Sequence, residues 1–415
     1  MTVRPKFLAA ESDLRSHFRK RDHVIRGLLI SVLARQHAVL IGEPGDGKTR
    51  LSTDFFRLFE GARFAHFGLH KGSTSDDLFG GPDIVALQNG VDKRQTKGRL
   101  LEVEFALLDE PDKASEGTLN SLLVPLSDFV FETAPLPLRC AIYAGNNLPH
   151  ELRGQRNGKS LPVRQGEDSL LAFFDRFAAK FVVESIDPES NDWTEIVFDR
   201  VTDAPYSATL SLDDLDAARS EVASVRIPDS VRQFVREFAI ALRRGNGKPN
   251  STVKVSPRRW SSVPVLLRAA AWLEGRDEVS TRDAAILADV LWTTPDQRKV
   301  IADALLDCGS PVVRDCASTV DQIAEVVLAL RERRLSTGAG PNGLHVHASA
   351  SEVNPRQAVG VSEVLLRHID KTGADLRNAI TPDLSTEDRE AIETALQVLR
   401  DFRKQALEEF RRRVA

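Results

Sequence analysis

Residues 38–49 read Ala38-Val39-Leu40-Ile41-Gly42-Glu43-Pro44-Gly45-Asp46-Gly47-Lys48-Thr49. The four apolar residues at the start have the length and composition of a buried parallel strand. Leu51, Phe55 and Leu58 follow at helical spacing, which predicts a helix directly after the glycine-rich segment. Strand, glycine-rich loop and helix in this order match the phosphate-binding pattern G-x-x-x-x-G-K-[ST]. A plain glycine turn is the less favoured interpretation.

The residue types of this loop fit a nucleoside triphosphate. Backbone N–H groups can surround a polyphosphate only where side chains do not block the approach, so glycines are needed at the bends. Lys48 would place a positive charge at the β- and γ-phosphates, and the Thr49 hydroxyl would bind Mg²⁺. The helix after the loop would direct its positive end at the phosphates. We therefore predict ATP and Mg²⁺ as cofactors, with the nucleotide held by Gly42, Glu43, Pro44, Gly45, Asp46, Gly47, Lys48, Thr49 and Arg50.

The composition is typical of a soluble globular protein with two or three domains. Of the 415 residues, 42% are hydrophobic and 28% charged. The formal net charge of −4 argues against a protein that binds nucleic acid by general electrostatic attraction. Cys140, Cys308 and Cys316 lack metal-ligand spacing, which favours reduced residues and a cytoplasmic location. We expect no membrane-spanning segment and no signal peptide.

Apolar runs at 63–67 and 105–108 predict two more strands, and the second run ends in Asp109 and Glu110. In an open parallel sheet, ligands bind at the carboxyl ends of the strands, so this acidic pair is expected beside the phosphate loop. There Asp109 would bind Mg²⁺ together with Thr49, and Glu110 would activate the attacking water. Without the phosphate loop, an ordinary solvated strand end would be the better interpretation.

Other patterns predict how the chain continues around these motifs. One helix is expected over about 11–36. Asn89-Gly90 predicts a hairpin, which would be either a functional insertion or a surface decoration. A strand over 139–144 would place Asn146 at its tip, near the γ-phosphate or the water, although Asn-Asn after a strand is usually a turn.

Two further segments contain arginines whose surroundings can be predicted. Arg176 follows Asp175 within an aromatic run, so it is either half of an ordinary ion pair or an arginine presented to a neighbouring subunit's phosphate. Ser256 and Pro257 predict the start of a helix, which would place Arg258 in the opening turn.

In this order of parts, the chain resembles AAA+ ATPases of the MoxR clade, and within the clade the RavA type. The resemblance covers about residues 21–308 and also rests on the segments 21–26, 73–80 and 290–292. It implies an α/β fold: a P-loop AAA+ core with a parallel sheet and helices on both faces, an all-α lid subdomain and a helical C-terminal extension.

The resemblance also implies roles for single residues. Asp109 and Glu110 would form the Walker B motif, Asn146 would be sensor 1, Arg176 an arginine finger and Arg258 sensor 2. It further implies a homo-oligomeric, hexameric ring and a partner protein with a von Willebrand factor A domain. The segment around Asn89-Gly90 and a second hairpin over 129–139 would face the central pore of such a ring.

The predicted domains are the nucleotide-binding core with its N-terminal helices over 1–204, the helical lid over 205–308 and the C-terminal extension over 309–415. In the extension, 336–343 has the composition of a linker and 386–414 that of a long charged helix. His345 and His347 would share one face of a strand, but without a third ligand a metal site is the less favoured interpretation.

The sequence thus predicts a ring-forming, Mg²⁺-dependent ATP hydrolase that remodels a partner protein. A nucleic-acid motor or loader is an alternative, favoured by the arginines of a polar insertion between Pro149 and Leu170. A slow ATP-dependent scaffold that docks through its C-terminal helices is a second alternative. The client protein, the pathway and the contacts of the C-terminal helices are left open.

Overall fold

A computed structural model describes residues 2–18, 20–145, 167–185, 206–245, 252–309, 323, 335–340, 343–348, 355–380 and 386–414. The chain divides into two compact units, residues 1–302 and residues 303–415. Asn146 and residues 149–166 of the polar insertion lie outside the described residues, as does the predicted domain boundary at 204/205. The division into three domains therefore stays a prediction.

A five-stranded sheet forms the centre of the first unit. Its strand order is β2-β3-β6-β1-β7, and every neighbouring pair is parallel. The strands β1 and β6 are buried along their whole length, as expected for a sheet with covered faces. The strands of this unit are β1 (His37–Ile41), β2 (Phe64–Gly68), β3 (Phe105–Asp109), β4 (Val130–Phe131), β5 (Ala134–Pro135), β6 (Cys140–Gly145) and β7 (Phe177–Val182).

Helices pack against this sheet and confirm the predicted fold class. The helix after the phosphate loop contacts β3 and β6, while the second helix contacts β1 and β7. These helices are α1 (Arg4–His17), α2 (Asp22–Leu33), α3 (Lys48–Arg57), α4 (Ser75–Phe79), α5 (Ile84–Gln88), α6 (Glu116–Asp128) and α7 (Glu167–Phe174). None of the described helices combines the length and the apolar content needed to cross a bilayer.

The region after residue 206 is helical, as the predicted lid requires. Helix α10 starts at Pro257 with Ser256 as its N-cap, whose hydroxyl accepts a hydrogen bond from the Arg259 N–H. The helices are α8 (Leu212–Ser224), α9 (Asp229–Arg244), α10 (Pro257–Leu273) and α11 (Gln297–Cys308), with a 3₁₀ helix over Thr281–Asp289 between the last two.

The second unit contains a long helix over the predicted residues, α13 (Thr386–Val414), which packs against α12 (Pro355–Asn378). Ile392, Ala395 and Leu396 form its apolar cluster with Leu376 and Ile380. The prediction of a linker over 336–343 is wrong, because β8 (Leu335–Gly340) and β9 (Gly343–Ala348) pair antiparallel there.

Two predictions for the first unit also need correction. The helix expected over 11–36 is broken into α1 and α2, and Lys20 between them has a left-handed φ of 55°. The hairpin expected at Asn89-Gly90 is instead the end of α5. Asp83 caps α5 by accepting hydrogen bonds from two backbone N–H groups, and Gly90 ends it with a φ of 74°. The hairpin expected over 129–139 is confirmed by the pairing of β4 and β5.

A buried histidine joins β1 to its neighbours. The His37 side chain is 2% exposed, and its Nε2 lies 2.8 Å from the Leu126 carbonyl. The Ala141 N–H donates to His37 Nδ1 at 3.0 Å, so the neutral ring satisfies both contacts. Burial, and then the nearby charges of Arg35 and Arg219, lower the pKa of His37 to about 4.

This histidine should make the folded state sensitive to mild acid. The unfolded chain takes up a proton near pH 6.5, whereas folded His37 takes it up only near pH 4. Stability is therefore lost as the pH falls between these two values, by about 3 kcal/mol in total. Urea unfolding at pH 7, 6, 5 and 4 measures this loss. The loss should be smaller in His37→Gln, and equal slopes for both proteins would contradict the assignment.

Candidate functional site

The phosphate loop connects the end of β1 to the start of α3. Gly45 and Gly47 have left-handed φ values of 95° and 80°, which favour glycine. A Cβ atom on either would meet no atom of the described residues within 4 Å, so the loop offers an open backbone surface. At Gly42 the reason for glycine differs, because a Cβ there would lie 2.3 Å from the Val183 carbonyl oxygen. The loop is thus shaped for a ligand that approaches the backbone closely.

Lys48 at the start of α3 lies over this loop. The residue is 6% exposed, and its ammonium donates to the carbonyls of Gly42 at 2.9 Å and Glu43 at 2.7 Å. Burial lowers the pKa of Lys48, while nearby carboxylates, first Asp46 and then Asp109, oppose this effect. The loop therefore holds a positive charge where phosphate oxygens would come to lie.

Two candidate magnesium ligands meet at the carboxyl end of β3. The Thr49 hydroxyl lies 3.5 Å from Asp109 Oδ2, and His66 Nε2 lies 3.2 Å from the same oxygen. The described residues contain no cluster of three or more His, Cys, Asp or Glu side chains that could hold a metal ion. Thr49 and Asp109 bring a hydroxyl and a carboxylate oxygen together, and this donor set fits a Mg²⁺ ion that takes its other ligands from phosphate and water.

Glu110 lies one residue beyond Asp109 in a fixed backbone position. Its φ is 51°, and its N–H donates to the Ala144 carbonyl at 2.9 Å, which ties it to the end of β6. Lys113 donates to the Glu110 carboxylate at 2.5 Å, and this hydrogen bond raises the pKa of Lys113. Asn146 is the next residue after Gly145 and lies outside the described residues. The Gly145 carbonyl accepts a hydrogen bond from the Gly42 N–H at 3.3 Å.

Arg176 and Arg258 are not at this edge of the sheet. Arg176 directly precedes β7, which runs parallel to β1 and ends at the phosphate loop. The seven steps from Arg176 to Val183 span about 23 Å at 3.3 Å per residue, too far for Arg176 to reach the loop of its own chain. Arg258 Nη1 lies 3.9 Å from the Asp175 carboxylate, so Arg258 shares the amino edge with Arg176.

Asp175 organises this second group of residues, in a way that the sequence did not indicate. It pairs with Arg259 at 2.9 Å and accepts a hydrogen bond from the Ser256 hydroxyl at 3.0 Å, rather than pairing with Arg176. Arg176 instead donates to backbone carbonyls, at 2.6 Å to Ala172. The start of α10 is thereby tied to the residue beside Arg176.

Two buried basic side chains extend the contact between β7 and the lid. Arg259 is 6% exposed and donates to the Trp292 carbonyl at 3.2 Å and to the Thr293 hydroxyl at 2.8 Å. Lys180 is fully buried in β7 and donates to the Val290 carbonyl at 3.0 Å. Burial lowers the pKa of Lys180 well below its ordinary value, and Arg259 lowers it further. These hydrogen bonds fix the lid against the strand that follows Arg176.

Comparison with known protein families gives two matches. Residues 6–196 match the family described as the MoxR domain in the MoxR-vWA-beta-propeller ternary systems. Residues 234–305 match the AAA lid domain family. The two matched regions contain the sheet with its phosphate loop and most of the helical region after residue 206.

Related proteins cover most of the chain at low identity. The chaperone MoxR1 of Mycobacterium tuberculosis is 26% identical over 306 residues, which are 71% of this chain and 75% of that protein. The uncharacterized protein MJ0079 of Methanocaldococcus jannaschii is 26% identical over 324 residues, 77% of each chain. A crystal structure of a candidate ATPase from Cytophaga hutchinsonii superposes with a TM-score of 0.57 and 19% identity, over 73% of this chain and 94% of that one. This last likeness concerns the fold alone.

Proposed function

We propose that this chain, a MoxR-type AAA+ protein by its core and lid, hydrolyses ATP with Mg²⁺ and couples hydrolysis to the remodelling of a partner protein. The observation that carries the proposal is the convergence at one sheet edge of the glycine loop, Lys48, the Thr49–Asp109 pair and Glu110. These are the parts that transfer of a phosphoryl group to water requires.

In this proposal, the side chains of one protomer hold the nucleotide and prepare the water. The loop amides and Lys48 stabilise the negative charge that develops on the β- and γ-phosphates. Thr49 and Asp109 would hold Mg²⁺, which supplies further charge neutralisation when bound. Glu110 accepts the proton of the attacking water, and Asn146 orients that water.

The remaining arginines act on a different nucleotide. Because Arg176 and Arg258 lie at the amino edge of the sheet, each protomer would present them to the ATP bound at the carboxyl edge of its neighbour. This arrangement calls for a closed homo-oligomer, and we propose a hexameric ring. Hydrolysis would then depend on assembly.

We further propose a cytoplasmic protein of the RavA type whose partner carries a von Willebrand factor A domain. The partner is supported by the matched family, whose description names MoxR-vWA systems. The RavA type rests on the sequence resemblance carried by the segments 21–26, 73–80 and 290–292. A nucleic-acid motor would use the arginines of the polar insertion, and a slow scaffold would use the helices of the second unit.

Assembly-dependent turnover is the test of this function. The ATP hydrolysis rate per chain should rise with protein concentration and fall about a thousandfold on dilution to the free protomer, because the arginine in trans is lost. A Lys48→Ala protein gives the background rate. A rate per chain that is independent of concentration would contradict the ring. A rate that rises with added DNA and falls steeply with salt would favour the motor.

A further inference from the structure

A polar cavity of about 250 Å³ lies at the amino edge of the sheet, around Arg176 and Arg258. Its lining includes two further arginines, Arg35 and Arg259, but only two carboxylates, Asp128 and Asp175. Asp175 pairs with Arg259 at 2.9 Å and with Arg258 at 3.9 Å. Asp128 is then the one other carboxylate in this lining. The cavity therefore has an excess of positive charge.

Arg35, which lines this cavity, has a backbone conformation that is energetically unfavourable for an arginine. It ends α2 in a left-handed turn with a φ of 52°, where its N–H donates to Val32 and the Gln36 N–H donates to Ser31. Glycine is the residue that this helix-ending turn favours. An arginine there costs about 1 kcal/mol of strain, which persists where the surroundings fix the residue.

The side chain of Arg35 is positioned by an aromatic ring. Its guanidinium carbon lies 4.3 Å from the centre of the Phe129 ring. Phe129 ends α6 with a left-handed φ of 56°, and its ring also packs against His37. Stacking on a ring face leaves the N–H groups at the edge of the guanidinium available to an acceptor. Among the described residues, Arg35 makes no ion pair that would occupy them.

The neighbouring arginines also favour an anion. Arg176 donates to the carbonyls of Ala172 and Leu123 rather than to a carboxylate. Burial and then the charge of Arg258 lower the pKa of Arg176. Two guanidinium groups that repel each other in one chain are stabilised when a phosphate lies between them.

We propose that Arg35 is a third arginine that each protomer presents, with Arg176 and Arg258, to the terminal phosphate of the neighbouring protomer's nucleoside triphosphate. The inference rests on the trans arrangement in the proposed function and adds Arg35 to it. Phe129 acts as a positioning residue that holds Arg35 in the cavity.

The direct test is Arg35→Gln, which removes the charge but keeps most of the stem. We expect kcat for ATP to fall about a hundredfold to a thousandfold, as when one donor to a developing charge is lost. ATP binding to the protomer, measured by calorimetry, should be unchanged. Arg226→Gln is the matched control, because Arg226 is an exposed lid arginine that pairs with Glu278 outside the cavity. Unchanged kcat in Arg35→Gln would overturn the proposal.

Mixing experiments separate an action in trans from a structural role. A Glu110→Gln protomer is inactive itself but brings an intact Arg35, so adding it to Arg35→Gln should raise the total ATPase rate. Arg176→Ala mixed with Glu110→Gln is the reference. If only the Arg176→Ala mixture recovers, Arg35 has no role in trans and this inference is wrong. If neither recovers, the trans arrangement itself fails.

A second variant covers the case in which Arg35→Gln does not fold. Phe129→Leu removes the ring on which Arg35 stacks and leaves the arginine in place. Phe129→Leu should have a lower kcat than the unchanged protein. Its ATPase rate should recover when it is mixed with Glu110→Gln protomers, which carry an intact Phe129 and Arg35. A folded Phe129→Leu protein with the kcat of the unchanged protein would contradict the positioning role.

Discussion

Replacing Glu110 by Gln should lower the rate of ATP hydrolysis about a thousandfold while ATP binding and assembly are retained. A glutamine keeps the size of the side chain but cannot accept the proton of the attacking water. The backbone around it should stay in place, since the Glu110 N–H donates to the end of β6 whatever the side chain is. Single-turnover hydrolysis and calorimetric ATP binding on the same sample measure the two effects separately.

Glu132→Gln is a suitable control for this experiment. Glu132 is a glutamate with its side chain 68% exposed and 3.7 Å from Arg94, and it lies in the β4–β5 hairpin away from the phosphate loop. Its replacement should leave turnover unchanged. If Glu110→Gln hydrolysed ATP at the rate of the unchanged protein, Glu110 would not be the base.

Replacing Arg176 by Ala should lower turnover about a thousandfold without weakening ATP binding to the free protomer. The length of β7 separates Arg176 from the phosphate loop of its own chain by about 23 Å, so we expect its loss to leave the nucleotide bound there undisturbed. The same variant should regain activity when it is mixed with Glu110→Gln, whose arginine is intact. ATPase rates over a series of mixing ratios measure this recovery.

The control for charge is Arg226→Ala, which removes an exposed arginine from the lid. It should hydrolyse ATP at an unchanged rate. An Arg176→Ala protein that keeps full turnover, or a dilute protomer that hydrolyses ATP as fast as the assembled protein, would contradict an arginine supplied in trans.

Local patterns predicted those parts of the site whose chemistry lies in consecutive residues. The strand, loop and helix around Gly42 and the strand that ends in Asp109 follow from apolar runs and glycine spacing. His66 lies within a predicted strand, where a polar side chain in an apolar run indicates that the residue has a polar partner. In the structure that partner is Asp109. That contact joins two strands, so the sequence alone could not establish it.

Contacts between distant segments explain what could not be predicted. Asp175 and Arg259 are 84 positions apart in the sequence, and only the packing of the lid on β7 brings them together. The pairing of β8 with β9 was missed because a stretch rich in glycine and proline resembles a linker when its partner strand is unknown. At Asn89-Gly90, the turn signal was present, but the Asp83 cap makes the preceding residues a helix.

The strand β7 joins the two edges of the sheet. At its amino end it follows Arg176, and at its carboxyl end the Val183 carbonyl lies against Gly42 so closely that a methyl group would not fit. If Arg176 contacts the ATP of a neighbouring protomer, the two ends of this strand lie beside two different ATP molecules. When the γ-phosphate is lost, a shift of the loop would then move β7 and with it the Arg176 side chain at the neighbouring catalytic centre. Hydrolysis in one protomer could thus be coupled through this single strand to hydrolysis in the next protomer.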